Sequence, residues 1–476
     1  MADDRETQTG GRPASTGVIP GSFALSVGKP DKRAPRGWHW TALCDVARLE
    51  SGHTPSRRHP EYWGGDVPWI GIKDATANHG RMIADTYQHT NELGIANSSA
   101  RILPANTVCL SRTASVGYVV VMGKPMATSQ DFVNWVCSDA IDFNFLKYVL
   151  LAEHKTFLRF ASGTTHQTIY FPEVKAFHVC LPPKDEQRAI THILGALDDK
   201  IELNRRMNET LEEMARALFK SWFVDFDPVR AKAEGGNPQV PAEVATLFPS
   251  TFQDSQGESI PNRWRYSSLG EEVSRFGGSI QTGPFGSQLH ASDYVDSGVP
   301  VIMPQDLARR RVTTEKIART SEANVERLSR HRVQPSDIIY SRRGNVELHA
   351  LIGKREAGWL CGTGCLLVRL GTKFPSPLFA SFALDRPECR AWIVQHAVGA
   401  TMPNLNTGIL NRVPLLMPDD AILVAFEGFL RPLAQRIVAN EDQIAVLSSL
   451  RDALLPKLIS GEWRVKAAEK MAEAVA

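Results

Sequence analysis

The chain lacks any apolar run near the roughly 18–20 residues that cross a bilayer, and the stretch from Tyr118 to Met122 reads as a buried strand instead. An excess of charge is also missing. Lys and Arg number 54 against 52 Asp and Glu, a formal net charge of +2 that permits nucleic-acid binding without arguing for it. Cysteine is sparse: the seven residues are scattered and odd in number, and Cys361-Gly-Thr-Gly-Cys365 has no second pair to complete a zinc site. A reduced, cytoplasmic protein without disulfides or metal is the expectation. Met1-Ala-Asp-Asp-Arg-Glu-Thr offers neither the basic nor the apolar region of a secretory signal.

Catalytic motifs are missing as well. Gly123-Lys124 and Gly353-Lys354 lack the earlier glycine and the following Ser or Thr of a phosphate-binding loop, and Gly362-Thr-Gly364 lacks the third glycine of a dinucleotide fingerprint. The chain has no Asn/Asp-Pro-Pro-aromatic tetrapeptide of the kind amino-methyltransferases use. Asp198-Asp199 falls between Leu197 and Ile201 and reads as the solvated face of a helix, not a nuclease acid cluster. Among the 13 histidines no nucleophile–base pair stands out. The sequence points to binding, not to an enzyme.

What the chain does have is a repeat. An apolar stripe stepping by fours and threes runs from Ile190 through Leu194, Leu197, Ile201, Asn204, Asn208, Leu211, Ala215, Leu218 and Trp222. It returns from Phe426 through Leu430, Leu433, Ile437, Asn440, Ile444, Leu447, Arg451, Leu454 and Leu458. Such stepping is the seam of a coiled coil, whose knobs need a partner helix. Shorter echoes precede each stripe: Pro35-Arg-Gly-Trp38 with Pro261-Asn-Arg-Trp264, Val67-Pro-Trp-Ile70 with Val299-Pro-Val-Ile302, and Ser111-Arg112 with Ser341-Arg342. Two α+β halves of one scaffold follow, each closed by a long helix. The two helices are expected to fold against each other. Pro432 and Pro456 predict a kink or restart in the second.

The expected segments are a disordered tail over 1–33, a first globular domain over 34–182 and a helix over 183–228. A linker over 229–260, a second globular domain over 261–418, a second helix over 419–462 and a tail over 463–476 complete them. Polar and aromatic clusters beside turns occupy matched places in both halves. Ser51-Gly-His-Thr54-Pro-Ser-Arg57-Arg58 with Tyr62 stands in the first, and Gln281-Thr282-Gly-Pro-Phe-Gly-Ser-Gln288 in the second. Arg and Gln suit guanine and adenine edges, although each loop could equally be ordinary surface. The candidate DNA-contacting set is Thr54, Arg57, Arg58, Tyr62, Lys73, Arg112, Thr165 and Gln167, with Gln281, Thr282, Gln288, Gln305, Arg342, Arg343, Thr401 and Asn404 in the second half.

Several segments resemble the specificity (S) subunits of type I restriction–modification systems. Glu186-Gln-Arg followed by Leu194-Gly-Ala-Leu-Asp-Asp-Lys-Ile201 and Leu218-Phe-Lys-Ser-Trp-Phe-Val-Asp-Phe-Asp-Pro228 is similar to their central conserved region. Arg451-Asp-Ala-Leu-Leu-Pro-Lys-Leu-Ile-Ser-Gly-Glu462 resembles their distal one. Thr54 to Ile70 and Gly283 to Tyr294 resemble parts of their target recognition domains. The resemblance covers residues 35–462. It implies two target recognition domains reading a bipartite, asymmetric double-stranded DNA sequence, separated by two helices that form an antiparallel coiled coil and dock two methyltransferase (M) subunits. In such a pair Asn204 and Asn440, near the helix centres, are expected to meet. It also implies that restriction (R) subunits join, and that S-adenosylmethionine, ATP and Mg belong to those partners, with no cofactor on this chain. The alternatives are a specificity subunit of another methyltransferase–nuclease assembly, or a coiled-coil scaffold that does not touch DNA.

Overall fold

The computed structural model describes residues 17–113, 115–162, 167–399 and 402–465. The chain divides into two compact units, Met1–Arg205 with Glu441–Ala476, and Arg206–Asn440. Each is α+β, and the division falls inside the two long helices rather than at their ends. Each unit therefore holds a globular part together with half of each helix.

Unit 1 is built on a five-stranded sheet in the order Ala47–Ser51, Phe132–Cys137, Val108–Ser111, Val119–Met122, Met82–Ile83. Side chains alternate across a strand. Val108, Leu110, Val119, Val121, Val133 and Trp135 therefore face the main core, with helix Phe143–Ala152 and the long helices. Cys109, Val120, Met122 and Phe132 face a second core with Ile70 and Met126. Burial on both faces explains why these strands read as unbroken apolar runs. A small sheet, Ala127–Thr128, Trp63–Ile70, Gln88–Thr90, carries Ile70 and shifts register between Trp63 and Val67.

Unit 2 repeats the plan with one strand fewer: Ser279–Thr282, Cys365–Arg369, Ile338–Ser341, His349–Leu351, all antiparallel. Ile338, Tyr340, Leu366 and Val368 face its main core, while Ile339, Leu367 and Cys365 face the other. The small sheet recurs as Ala318–Thr320, Tyr294–Ile302, Leu360–Cys361, with its register shift between Tyr294 and Val299. The echoing tryptophans are equivalent in burial, Trp38 in one core and Trp264 in the other.

Part of the expected tail and the expected linker are built in, while residues 1–16 of that tail lie outside the described residues. Residues 17–33 belong to unit 1: Ile19–Pro20 and Leu25–Val27 extend the sheet through Phe177–Leu181. The fully buried Glu153 carboxylate accepts the N–H groups of Ser22 at 2.7 Å and Phe23 at 2.6 Å. A short Phe-Ala-Leu-Ser-Val run is enough to enter the core once a neighbouring strand edge and an acceptor are supplied. The 229–260 stretch forms helix Asp227–Ala233 and a hairpin, Phe252–Ser255 with Glu258–Pro261, and buries Val229, Phe248 and Ile260. At the other end, Trp463 packs on the core of unit 1, and Arg464 pairs with Glu186 at 2.6 Å.

The long helices are Lys184–Phe223 and Asp420–Ile459, 40 residues each. The second continues through Pro432 and Pro456 without a restart. A helix-interior proline costs about 3 kcal/mol, and burial of Phe426, Leu430, Leu454 and Leu458 outweighs that. Within unit 1, Leu194, Leu197 and Ile201 pack with Leu447, Leu454 and Leu458. Within unit 2, Ala215, Phe219 and Trp222 pack with Phe426 and Leu430, and half-buried Leu218 and Leu433 join them. Leu211 and Ile437 are half-buried.

Both central asparagines are buried, but the expected mutual pairing does not form. Asn204 Nδ2 donates to Gln443 Oε1 at 2.8 Å within unit 1, and Asn440 Nδ2 donates to Asn208 Oδ1 at 2.7 Å within unit 2. The antiparallel register sets each residue opposite a polar partner about one turn away from the repeat-equivalent position. Asp198 is likewise not a solvated group. It accepts from Tyr148 Oη at 2.7 Å and Arg451 Nη1 at 3.1 Å, with Lys147 Nζ at 3.6 Å.

Candidate nucleic-acid interface

In unit 1 the candidate residues gather where the first strand of the main sheet, Ala47–Ser51, runs out into a loop. Gly52 begins that loop, and a Cβ there would lie 1.8 Å from the Ser129 carbonyl oxygen. Only glycine lets the loop approach so closely. Beyond it, the Thr54 hydroxyl donates to the side-chain oxygen of Gln130. Arg112 Nη2 donates to the Gln130 carbonyl at 3.1 Å, and its guanidinium lies 4.8 Å from the centre of the Phe171 ring. Thr54 and Arg112, distant in sequence, thus share one anchor. Burial lowers the Arg112 pKa against the opposing pull of Asp131 and Tyr170.

The same loop places Arg57 over Trp63 at 3.6 Å and Trp69 at 5.0 Å, while Nη2 donates to Gln88 at 2.7 Å. Trp63 and Trp69 meet edge to face at 5.1 Å, and Trp69 Nε1 donates to the His53 carbonyl. A planar cation is held on an aromatic platform at an exposed surface, an arrangement suited to phosphate or a base edge. Arg58 and Lys73 are exposed, and Tyr62 stacks on His59 at 4.9 Å. Exposed Gln167 precedes Thr168, whose hydroxyl bonds that of Thr113 at 2.7 Å. Thr165 and Thr401 lie outside the described residues.

Unit 2 reproduces the frame with other side chains. Gly283 follows strand Ser279–Thr282, and a Cβ there would lie 2.0 Å from the Gly362 carbonyl oxygen. Arg342 donates its main-chain N–H to Gly364 at 2.8 Å, and Arg343 bridges Asn404. A Cβ on Gly364 would meet Pro304, so the turn bearing exposed Gln305 sits against the same strand end. Thr282, Gln305, Arg342, Arg343 and Asn404 are thereby brought to one end of the sheet. Gln281 and Gln288 make local hydrogen bonds. Gln281 Nε2 donates to the Arg330 carbonyl at 2.8 Å, and Gln288 Oε1 accepts the Phe285 N–H at 3.0 Å.

The Arg309–Arg311 run is not a free basic patch. Arg309 Nε reaches both oxygens of Asp385 at 2.8 Å, and Arg310 lies over Phe382 at 3.4 Å, where burial lowers its pKa to about 10. Sequence reasoning missed Gln130, the anchor for Thr54 and Arg112, because a lone Gln between strands carries no pattern. The Arg57 platform had a signal in Trp63 and Trp69, aromatics near the two ends of one strand.

Two α+β units of one design each present a differently furnished loop surface at the same place. Residues 35–213 match the type I restriction modification DNA specificity domain. The chain is 27% identical over 438 residues to the type I restriction enzyme MjaIX specificity subunit of Methanocaldococcus jannaschii, covering 91% of this chain and 95% of that one. To the HindI specificity subunit of Haemophilus influenzae it is 28% identical over 345 residues, 63% of this chain and 72% of the relative. Its fold is similar to the crystal structure of a type I restriction–modification S subunit from M. genitalium, at a TM-score of 0.56 and 16% identity, over 88% of this chain and 96% of that one. The chain is thus similar along most of its length to specificity subunits of type I restriction–modification systems. Among the described residues no helix is long and apolar enough to cross a membrane.

Proposed function

We propose that the two units each read one half of a split, asymmetric double-stranded DNA sequence. The chain positions two methyltransferase subunits and the restriction subunits on that target. S-adenosylmethionine, ATP and Mg are carried by those partners, and the assembly works in the cytoplasm. One observation carries this reading: a single loop frame, Gly52 with Arg112 and Gly283 with Arg342, occurs once per unit and is dressed with different polar groups. A shared frame with different dressing suits two readers of different sequences. The long helices supply the surface repeated between the halves, which suits two copies of one partner.

Methylation-aware sequencing of the host genome tests it. The expected result is a split asymmetric motif methylated on adenine in both strands, lost when the gene is deleted. A deletion strain that keeps every methylated motif would contradict the assignment.

A further inference from the structure

We propose that Arg112 and Arg342 are matched DNA-phosphate anchors, one per unit, and carry no sequence information themselves. The inference rests on the DNA-reading function above and says which contacts hold the duplex rather than read it.

Both arginines follow a buried serine that ends a central strand, Val108–Ser111 or Ile338–Ser341. The Ser111 N–H donates to Tyr118 at 2.8 Å, and that of Ser341 to Leu348 at 3.0 Å. Each arginine backbone is then clamped on both sides. Arg112 donates to Asp131 at 2.7 Å and accepts from Ile169 at 2.8 Å, while Arg342 donates to Gly364 at 2.8 Å and accepts from Leu405 at 2.8 Å. Two side chains start from the same rigid point of two equivalent sheets.

Both also share an unmet need. Nε of Arg112 and Nε of Arg342 are enclosed by protein and have no hydrogen-bond acceptor among the described residues. Enclosed N–H groups are nearly always paired, because stripping their water without replacement is unfavourable. The same atom goes unpaired at Arg310 and Arg332, so what distinguishes this pair is its equivalent place in both units, at the end of the sheet where the candidate residues gather. A guanidinium presents its donors in a fork that fits the oxygens of a phosphate.

Phosphate is favoured over a base edge by what surrounds the pair. Beside Arg112 stand Thr113 and Thr168, joined hydroxyl to hydroxyl; beside Arg342 the bridge is Arg343 with Asn404. Groups that differ between the units can read different bases. A residue identical in both, on identical backbone geometry, suits the part of DNA that does not vary.

The test uses the full chain co-purified with its methyltransferase subunit, as wild type and as Arg112→Gln, Arg342→Gln and Arg112→Lys. The probes are a duplex bearing the methylated motif of the host genome and the same duplex with one half scrambled. Each Gln variant is expected to weaken binding roughly fivefold at physiological salt on both duplexes, and to lower the slope of log affinity against log salt by about one. The methylated motif should stay unchanged, and Arg112→Lys should recover most of the salt slope. Folded variants with wild-type affinity and slope would overturn the proposal, as would relaxed reading of one half of the motif. A wild-type complex that binds neither duplex would sink the DNA reading itself, and the anchors with it.

Discussion

Single residues decide how the loops stand. At Gly52 and Gly283 an added methyl group would meet main-chain oxygens of neighbouring segments at 1.8 and 2.0 Å, which cannot swing aside as a side chain can. Gly52→Ala and Gly283→Ala are therefore expected to displace the reading loops and lower DNA affinity by at least about tenfold, roughly 1.4 kcal/mol. Titration against each half-site duplex checks this. Arg57→Ala should behave differently, because an exposed cation–π contact contributes only about 0.5–1 kcal/mol. Its thermal midpoint is expected to hold while binding to the unit 1 half-site falls. Three rings, His79, His331 and His349, are held neutral mainly by burial, with pKa values lowered to about 4. In the unfolded chain they titrate near 6.5, so between those values the unfolded state binds more protons. Their contribution to stability is complete above about pH 6.5 and is lost as pH falls toward 4. Urea unfolding at pH 7.0 and 5.0 should show a lower midpoint at pH 5.0, and an unchanged midpoint would contradict the assignment.

Among the elements, the long helices are held by unequal positions along one stripe. Leu454 is almost fully buried and Leu433 only half so. Leu454→Ala is expected to cost about 2–5 kcal/mol and Leu433→Ala clearly less, as chemical denaturation would show. Polar side chains punctuate the stripe and use their partners locally. Removing the Asp198 carboxylate strands the Tyr148 hydroxyl and takes one of the two carboxylates that Arg451 holds, Asp452 being the other. Asp198→Ala is expected to destabilise by about 1.5–3 kcal/mol, the scale of hydrogen bonds to charged groups. Asp198→Asn, which keeps an acceptor for Tyr148, should lose less. The pairing of Asn204 with Gln443, and not with Asn440, was not legible because a repeat fixes which positions are equivalent, not which ones lie opposite. Opposition depends on the register of two antiparallel helices, set by how large residues such as Trp222 and Phe426 interlock.

For the whole molecule, the repeat gives one scaffold two loop surfaces at matched places. Exchanging the loop that starts at Gly52 for that of a relative should change one half of the methylated motif and leave the other intact, as methylation sequencing would show. A change in both halves would argue against independent readers. Much of this plan was legible from residue patterns alone. The doubled stripe, the echoing Trp38 and Trp264 and the Ser-Arg pairs mark two equivalent halves, because helix periodicity and recurring turns are local properties of the chain. Local pattern also placed the long helices, though it overstated two prolines whose cost is overcome by burial it could not count. Only the tertiary structure decided what came from distant segments. It drew residues 17–33 into a sheet, turned Asp198 inward, spent the Arg309–Arg311 charge on Asp385 and Phe382, and joined Thr54 to Arg112 through Gln130. Each of these depends on which strand edge, carboxylate or ring lies across the fold, and no sequence interval encodes that.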